Sequence, residues 1–303
     1  MDGSSSSLRH ILLGTIQGHI WVGVAIATLL ALHGLRKKSL NMSGAIAAWF
    51  TGLITFTAGH TFAAILIAFY LSSSYLTKYK ASIKKKLEED HKVGGQRNYI
   101  QVFSNSLVGT VLALAHMLVS NSRWNTYIDS RYPLDVFLLC AFVGQYACCN
   151  GDTWASELGI LNKTQPILIT KLRRVPPGTN GAISPLGTFA SLMGGLFIGV
   201  CYYVLSILFA PANVTAHQPQ YPIILLASFS GICGSMIDSL LGATVQYSGW
   251  DIKNNKVTNI QPKSKNNLIA HLSGADILDN HQVNFLSCLS MSIISGCIGY
   301  CLL

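Results

Sequence analysis

Charge is what this chain has least of. Aspartate, glutamate, lysine and arginine make up 11% of its 303 residues, and only 12 of these are acids. A soluble domain carries roughly 25% charged residues, so the polar covering of a soluble globule is missing. A disordered chain, which depends on charge and low hydrophobicity, is excluded with it. None of the eight cysteines forms a CxxC pair, and all sit in apolar stretches. They read as small packing residues and not as a zinc site or a disulfide framework. The Walker pattern GxxxxGK[ST] is absent. The N-terminal stretch shows neither a cleavable signal nor an Arg-rich transit peptide. Its first apolar run is long, lacks a small-residue cleavage site and ends in Arg36-Lys37-Lys38. The expectation is an integral membrane protein of the endomembrane system, such as the endoplasmic reticulum, and not of a plastid.

What the chain has instead is hydrophobicity: half of its residues are apolar and its mean hydropathy is +0.42. Apolar segments near 20 residues recur, the length that crosses a hydrocarbon core as a helix. The fold class expected is all-α: a single multi-pass transmembrane helical bundle over residues 1–303, with about eight spans and six to nine in range. The spans fall near 11–35, 43–57, 60–76, 101–119, 134–151, 184–210, 221–247 and 283–303. The second and third meet at Ala58-Gly59-His60 and read as separate spans, a tight hairpin or a re-entrant pair. With 27 glycines and 9 prolines, close helix packing and broken helices are expected. No internal repeat is visible.

If the spans alternate, eighteen basic residues lie on one side and three, Arg9, Arg123 and Arg131, on the other. The basic side is therefore cytosolic, with loops at about 77–100, 152–183 and 248–282. The net charge of +9 is mostly topological, and no nucleic-acid partner is expected. The segment from Lys78 to Lys92 would touch anionic membrane lipid. Of three N-x-S/T sequons only Asn213 faces away from the cytosol, in a loop too short to favour glycosylation.

An ionisable group in or near hydrocarbon is costly and needs a reason. Asp135 follows Pro133 at a span start and reads as a helix-start acid. Asp152 stands in a ten-residue stretch with Thr153, Ser156 and Glu157. One carboxylate with neighbouring hydroxyls suits Mg2+, which keeps waters and phosphates among its ligands. The bland reading is a polar stripe packed against another helix. Glu157, five residues on, points about 140° away on a regular helix and shares no face with Asp152 unless the helix breaks. Asp238 lies on a face of small and polar residues with Gly231, Ser235, Gly242 and Gln246. It wants a cation or a basic partner, or is a buried packing residue. Between the two acids runs Lys171 to Pro185. Arg173 and Arg174 offer planar donors for phosphate. Gly178 and Gly181, flanking Thr179 and Asn180, free the backbone to turn N–H groups toward an anion. Ser184 and Pro185 read as N-cap and first residue of the next helix. Arg97, Asn98, Gln101, Asn105 and Asn284 bring further polar groups to the same side. Acids, arginines and a glycine loop at one membrane face point to a Mg2+–polyphosphate site above an intramembrane groove.

The run from Gly151 to Glu157, the run from Val175 to Gly181, the run from Asp238 to Gln246, Arg97-Asn98 with Gln101 and Asn105, and Asn284-Phe285 together resemble the signature of the transmembrane protein 19 family (DUF92-type). That family includes the plant phytyl-phosphate kinase. The likeness runs from about Gly14 to the C-terminus. The Gly-Asp-Thr-x-Ala-Ser core is also similar to that of polyprenol kinases and phospholipid cytidylyltransferases, membrane enzymes that use CTP. The resemblance implies phosphorylation of an isoprenoid monophosphate (phytyl, farnesyl or geranylgeranyl phosphate) to its diphosphate by CTP or ATP with Mg2+. On that reading Asp152 and Asp238 hold the metal, and Glu157 is a ligand or base. Lys171, Arg173, Arg174 and the Gly178–Gly181 loop hold the nucleotide phosphates. Arg97, Asn98, Gln101, Asn105, Thr153, Ser156, Ser239, Gln246 and Asn284 support them. A cytidylyltransferase making a CDP-lipid, and a transporter or scaffold without catalysis, are the competing readings.

Overall fold

The computed structural model describes residues 3–81, 96–120, 126–209, 218–262 and 268–303, with side chains from residue 20 onward. The segment 82–95, which the sequence places against lipid, and the Asn213 sequon lie outside the described residues. Eight helices are seen among those residues: α1 (Gly3–Arg36), α2 (Met42–Ala58), α3 (His60–Lys78), α4 (Tyr99–Val119), α5 (Pro133–Gly159), α6 (Pro185–Phe209), α7 (Pro222–Val245) and α8 (Asn280–Leu302). α3 to α8 are long and apolar enough to cross a membrane, and Ile20–Arg36 of α1 and Met42–Ala58 are shorter apolar stretches.

The helices alternate in direction. At the basic end Leu40 bridges to Arg97, and the Gln246 amide donates to Asn280 Oδ1. At the other end the Tyr202 hydroxyl donates to the Thr126 carbonyl, and Gln220 bonds both ways with the Ile128 backbone. The outer faces are apolar: Trp21, Leu118, Leu208 and Leu225 are among the large side chains left exposed, as a lipid-facing bundle requires.

α5 is the axis. Every residue from Leu138 to Gly151 is buried, because the helix is apolar or small on all sides and so can be surrounded. It packs against α3, α4, α6, α7 and α8. Glycine allows backbones to meet. A Cβ at Gly151 would lie 2.8 Å from Gly231 Cα on α7 and 3.0 Å from the Ser191 carbonyl on α6. α1 packs on α2, at the edge of the bundle.

Helix starts follow their local chemistry. Asn41 caps α2 by accepting from Gly44 N. Ser184 caps α6 by accepting from Gly187 N, with Pro185 as its first residue, as expected. Asn98 with Gln101, and Asp279 with Gln282, form reciprocal capping boxes on α4 and α8.

Two features depart from the expected bundle. The fifth span does not end at residue 151. α5 continues to Gly159, because the polar residues there remain helical: Thr153 Oγ1 donates to the Cys149 carbonyl and Ser156 Oγ to the Thr153 carbonyl. The loops at the basic end also carry strands. β1 (Ile167–Leu168), β2 (Arg173–Arg174) and β3 (Ala182–Ile183) form one antiparallel sheet in the order β2-β1-β3. β4 (Ser248–Asp251), β5 (Lys256–Thr258) and β6 (Ile269–Ser273) form another in the order β5-β4-β6. Ala275 N donates to the Thr244 carbonyl and Leu278 N to the Val245 carbonyl. The chain after β6 thus satisfies the open C-terminal end of α7.

Candidate active site

α5 and α7 run in the same direction, and each carries an acid seven residues before its last: Asp152 before Gly159, Asp238 before Val245. At 1.5 Å per residue both lie about 10 Å inside the basic end. α8 enters from that end, and Ser287 stands seven residues past Asn280, at the same depth. Three helices thus deliver polar groups to one level without a break in any of them.

Each carboxylate accepts from a serine on a neighbouring helix. Ser235 Oγ donates to Asp152 Oδ1 at 3.2 Å, and Ser287 Oγ to Asp238 Oδ2 at 3.0 Å. Asn284, with its amide nitrogen turned toward the acid, adds a donor to Asp238 Oδ2 at 3.2 Å and one to the Asn280 carbonyl at 2.8 Å. The acids are close enough for the charge of one to act on the other. Among the described residues, no Lys or Arg bonds either acid, and no donor reaches Asp152 Oδ2 or Asp238 Oδ1.

No group of three or more His, Cys, Asp and Glu that could hold a metal occurs among the described residues, which argues against a site built wholly from protein ligands. Two hard carboxylate oxygens left open beside hydroxyls fit Mg2+ well, since that ion takes one or two carboxylates and completes its shell with water and phosphate.

Just below the acids the packing is soft. Cys149 Sγ and Cys288 Sγ are 2.9 Å apart, and the Gln145 amide donates to Cys149 Sγ and to the Asn105 carbonyl. Asn150, two residues before Asp152, is fully buried. Its Oδ1 accepts from Ser72 and Ser73 at 2.9 and 3.3 Å, and its Nδ2 donates to the Gly194 carbonyl at 2.9 Å. One side chain thereby ties α3, α5 and α6 together, on the face of α5 turned away from Asp152. The next residue of α3, Ser74, accepts from Arg97 Nη1 at 2.9 Å. Burial lowers the pKa of the Arg97 guanidinium, while Tyr70 and Glu157 nearby act in the opposite sense. Glu157 belongs to this Arg97 neighbourhood, the different face that an unbroken helix imposes.

The loop of Gly178 and Gly181 sits over the end of α7. Both glycines have positive φ, 88° and 75°, and a Cβ at Gly181 would come within 2.4 Å of the Ser239 carbonyl. That close approach seats the loop one residue beyond Asp238. Thr179 Oγ1 donates to the Pro176 carbonyl. The Asn180 amide donates to the Tyr247 carbonyl and to Asn259 Oδ1, while its backbone N–H donates to Ser248 Oγ. These side chains fix the loop to the second sheet. Lys171, Arg173 and Arg174 are exposed, and Arg173 Nη2 donates to the Leu272 carbonyl at 2.9 Å.

Of the residues expected at the site, the structure gathers Asp152, Asp238 and Asn284, with the glycine loop and Ser239 beside them. It sets Glu157 toward Arg97, and leaves Lys171, Arg173 and Arg174 exposed, the two arginines on β2 at an edge of the first sheet. Asn98 and Gln101 are occupied by capping, Asn105 Nδ2 donates to the Gln101 carbonyl, and Thr153 and Ser156 bond to their own helix. Sequence reasoning missed Ser287 and Asn150. For Asn150 the signal was present, as an amide in the middle of an apolar helix has to be satisfied from outside that helix.

A family model described as integral membrane protein DUF92 matches residues 25–292, a stretch that holds every one of these groups. The chain belongs to the DUF92 family. Among its relatives, Protein PGR of Arabidopsis thaliana is 38% identical over 273 residues, covering 90% of this chain and 93% of its own length. Uncharacterized membrane protein MJ0933 of Methanocaldococcus jannaschii is 27% identical over 242 residues, covering 80% and 88%. Protein VTE6, chloroplastic, of Arabidopsis thaliana is 28% identical over 248 residues, covering 81% and 68%. No solved structure matches. The DUF92 relatives extend the expected resemblance across the bundle. The chloroplastic VTE6 also means that family membership does not set a plastid aside.

Proposed function

We propose that this chain is a membrane-bound, Mg2+-dependent phosphotransferase. It converts an isoprenoid monophosphate (phytyl, farnesyl or geranylgeranyl phosphate) to its diphosphate, with CTP or another nucleoside triphosphate such as ATP as donor. The observation that carries this reading is the hydroxyl-lined pair Asp152 and Asp238, held at one depth near the cytosolic end of a membrane bundle, with one oxygen of each left open. The resemblance to a family that includes phytyl-phosphate kinase supplies the substrate class.

Phosphoryl transfer asks for positioning and charge stabilisation more than for covalent help. An oxygen of the prenyl phosphate attacks the γ-phosphorus, the bond to the bridging oxygen breaks, and the nucleoside diphosphate leaves. The acceptor is a phosphate monoester, largely ionised near pH 7 with a second pKa near about 6, so no strong general base is required. Asp152 and Asp238 would hold the metal, which when bound neutralises charge building on the phosphates. Ser235, Ser287 and Asn284 orient the two carboxylates. Arg97 supplies the nearby cation for a phosphate, oriented by Ser74. Lys171, Arg173 and Arg174, exposed beside the glycine loop, meet the triphosphate as it arrives from the cytosol.

The test is purified protein with Mg2+, a panel of prenyl monophosphates, and nucleotides labelled at the γ or the α position. Label from the γ position in the prenyl diphosphate is expected. Label arriving from the α position would replace this reading with nucleotidyl transfer to a CDP-lipid, and no transfer from either would overturn it. We place the reaction on an endomembrane, checked by imaging the tagged full chain against endoplasmic-reticulum and plastid markers.

A further inference from the structure

Small residues do two opposite things in this bundle. Around Gly151, Gly194 and Gly231 they draw three helices into backbone contact. Between α1, α2, α3 and α4 they leave space. Ala27 and Ala31 of α1 face Ala48 and Gly52 of α2, and a Cβ at Gly52 would meet Ala27 Cβ at an ordinary 3.6 Å, so these two helices touch, but their side chains are too small to fill the room toward α3 and α4. The result is a cleft with about 730 Å³ of atom-free space, part of it open to the surroundings. Apart from the Thr51 and Ser106 hydroxyls, which donate to the Ala47 and Val102 carbonyls of their own helices, its deeper walls are apolar, down to Phe56. Polar groups (Arg97, Gln101, Asn105 and Tyr70) gather toward its cytosolic mouth. From Met42, at that mouth, to Phe56 is fourteen residues of α2, or about 20 Å along the helix axis.

A cleft that is cationic at one end and hydrocarbon for the rest matches an amphiphile with an anionic head and a long apolar chain. The head end is unfinished in a telling way. The Arg97 guanidinium has five donors, and only Nη1 finds a hydrogen-bond acceptor, Ser74, among the described residues. The head end also reaches α5, the helix that carries Asp152. Ser72 and Ser73 bond Asn150 of α5, while Ser74, on the same turn of α3, holds Arg97.

We propose that this cleft is the substrate's tail slot: a prenyl chain lies along α2 between α1 and α4, its phosphate on Arg97, and Gly52 and Ala48 set the longest chain accepted. This deepens the kinase reading and rests on it for the identity of the head group. Gly52 lies about two-thirds of the way down the slot, so a larger side chain there shortens the slot from below and leaves the head site alone.

The test is in two arms. In the first, farnesyl phosphate carrying a diazirine at its ω end is photolysed with the unmodified full chain, and the labelled peptides are mapped by mass spectrometry. Label on 27–31 and 48–56 is expected. Label on the shallow groove of Phe189, Leu192 and Ile232, or spread over the outer faces, overturns the proposal. In the second, kcat/KM is compared for geranyl and geranylgeranyl phosphate in the wild type, G52A and G52L. The long-to-short ratio should fall by roughly tenfold or more in G52L, with G52A between. A ratio unchanged in both overturns the slot as the measure of length. Because photolabelling needs no turnover, the failures separate. Label in the cleft without phosphotransfer sinks the kinase reading and keeps the slot, whereas phosphotransfer with label elsewhere does the reverse.

Discussion

Gly151→Ala should separate the two acids without touching either. The added Cβ would sit 2.8 Å from Gly231 Cα, 2.8 Å from the Gly231 carbonyl oxygen and 3.0 Å from the Ser191 carbonyl. All three are backbone atoms, so no side chain can swing aside, and α7 has to move out by about 0.6 Å to restore ordinary contact at 3.4 Å. Overpacking of this kind costs about 1–3 kcal/mol. The functional loss is larger than that figure implies. Gly151 is bonded to Asp152, and Gly231 lies two turns before Asp238 on α7, so the displacement widens the gap between the carboxylates. A misplacement near 1 Å costs about 10²-fold in rate, and about tenfold or more is expected here. Gly159→Ala is the graded comparison: its Cβ would lie 3.2 Å from Gly187 Cα, requiring about a third of the shift. The assay is thermal unfolding in detergent alongside phosphotransfer. Wild-type stability and turnover in Gly151→Ala would refute the three-helix contact and the preorganised pair built on it.

Other outcomes follow from the same geometry. Asp152→Asn and Asp238→Asn keep an oxygen for Ser235 and Ser287 but remove a metal ligand, so each should lower turnover about 10²-fold or more while the protein still elutes as a folded species. The double variant should lose little beyond either single, because the acids act as a unit. Chelating Mg2+ should abolish transfer and adding it back should restore it, with Asp238→Asn needing a far higher Mg2+ concentration in the same titration. Asn98→Ala breaks the α4 capping box and should cost about 1 kcal/mol, read as a lowered thermal midpoint.

The spans were legible because hydrophobic length and end signals agree: Pro133 and Pro222 open α5 and α7, and Ser184-Pro185 opens α6. The end of α5 was not. Hydropathy falls at Asn150, yet Ser72, Ser73 and the Gly194 carbonyl satisfy that amide from other helices, so the helix runs on for more than two turns. The strands were invisible for another reason. They are two to five residues long and pair across the chain, as Ser248–Asp251 does with Ile269–Ser273, leaving no alternation to read. Within the site, the depth of Asp152 and Asp238 could be counted back from helix ends. Ser287 could not be singled out, since serines on apolar helices mostly bond back to their own carbonyls, as Ser292 does. Basic residues mark one end of the bundle and say nothing about height, so Arg173, on an exposed strand, and Arg97, bonded to Ser74 of α3, could not be told apart.

Two carboxylates at one level of a membrane bundle repel each other, and a lysine between them would relieve the strain. It would also occupy the oxygens a metal needs. Ser235 and Ser287 donate one hydrogen bond apiece and leave one oxygen of each acid open, so the side chains alone supply too little to hold the pair against its own repulsion. The restraint has to come from the backbone, and close backbone packing lies where it is wanted, at Gly151, Gly194 and Gly231. The rigid helices therefore carry the acids. The proposed hydrocarbon slot lies elsewhere, beside α1 and α2 at the bundle edge, and its lining shares no residue with the Gly151 contact.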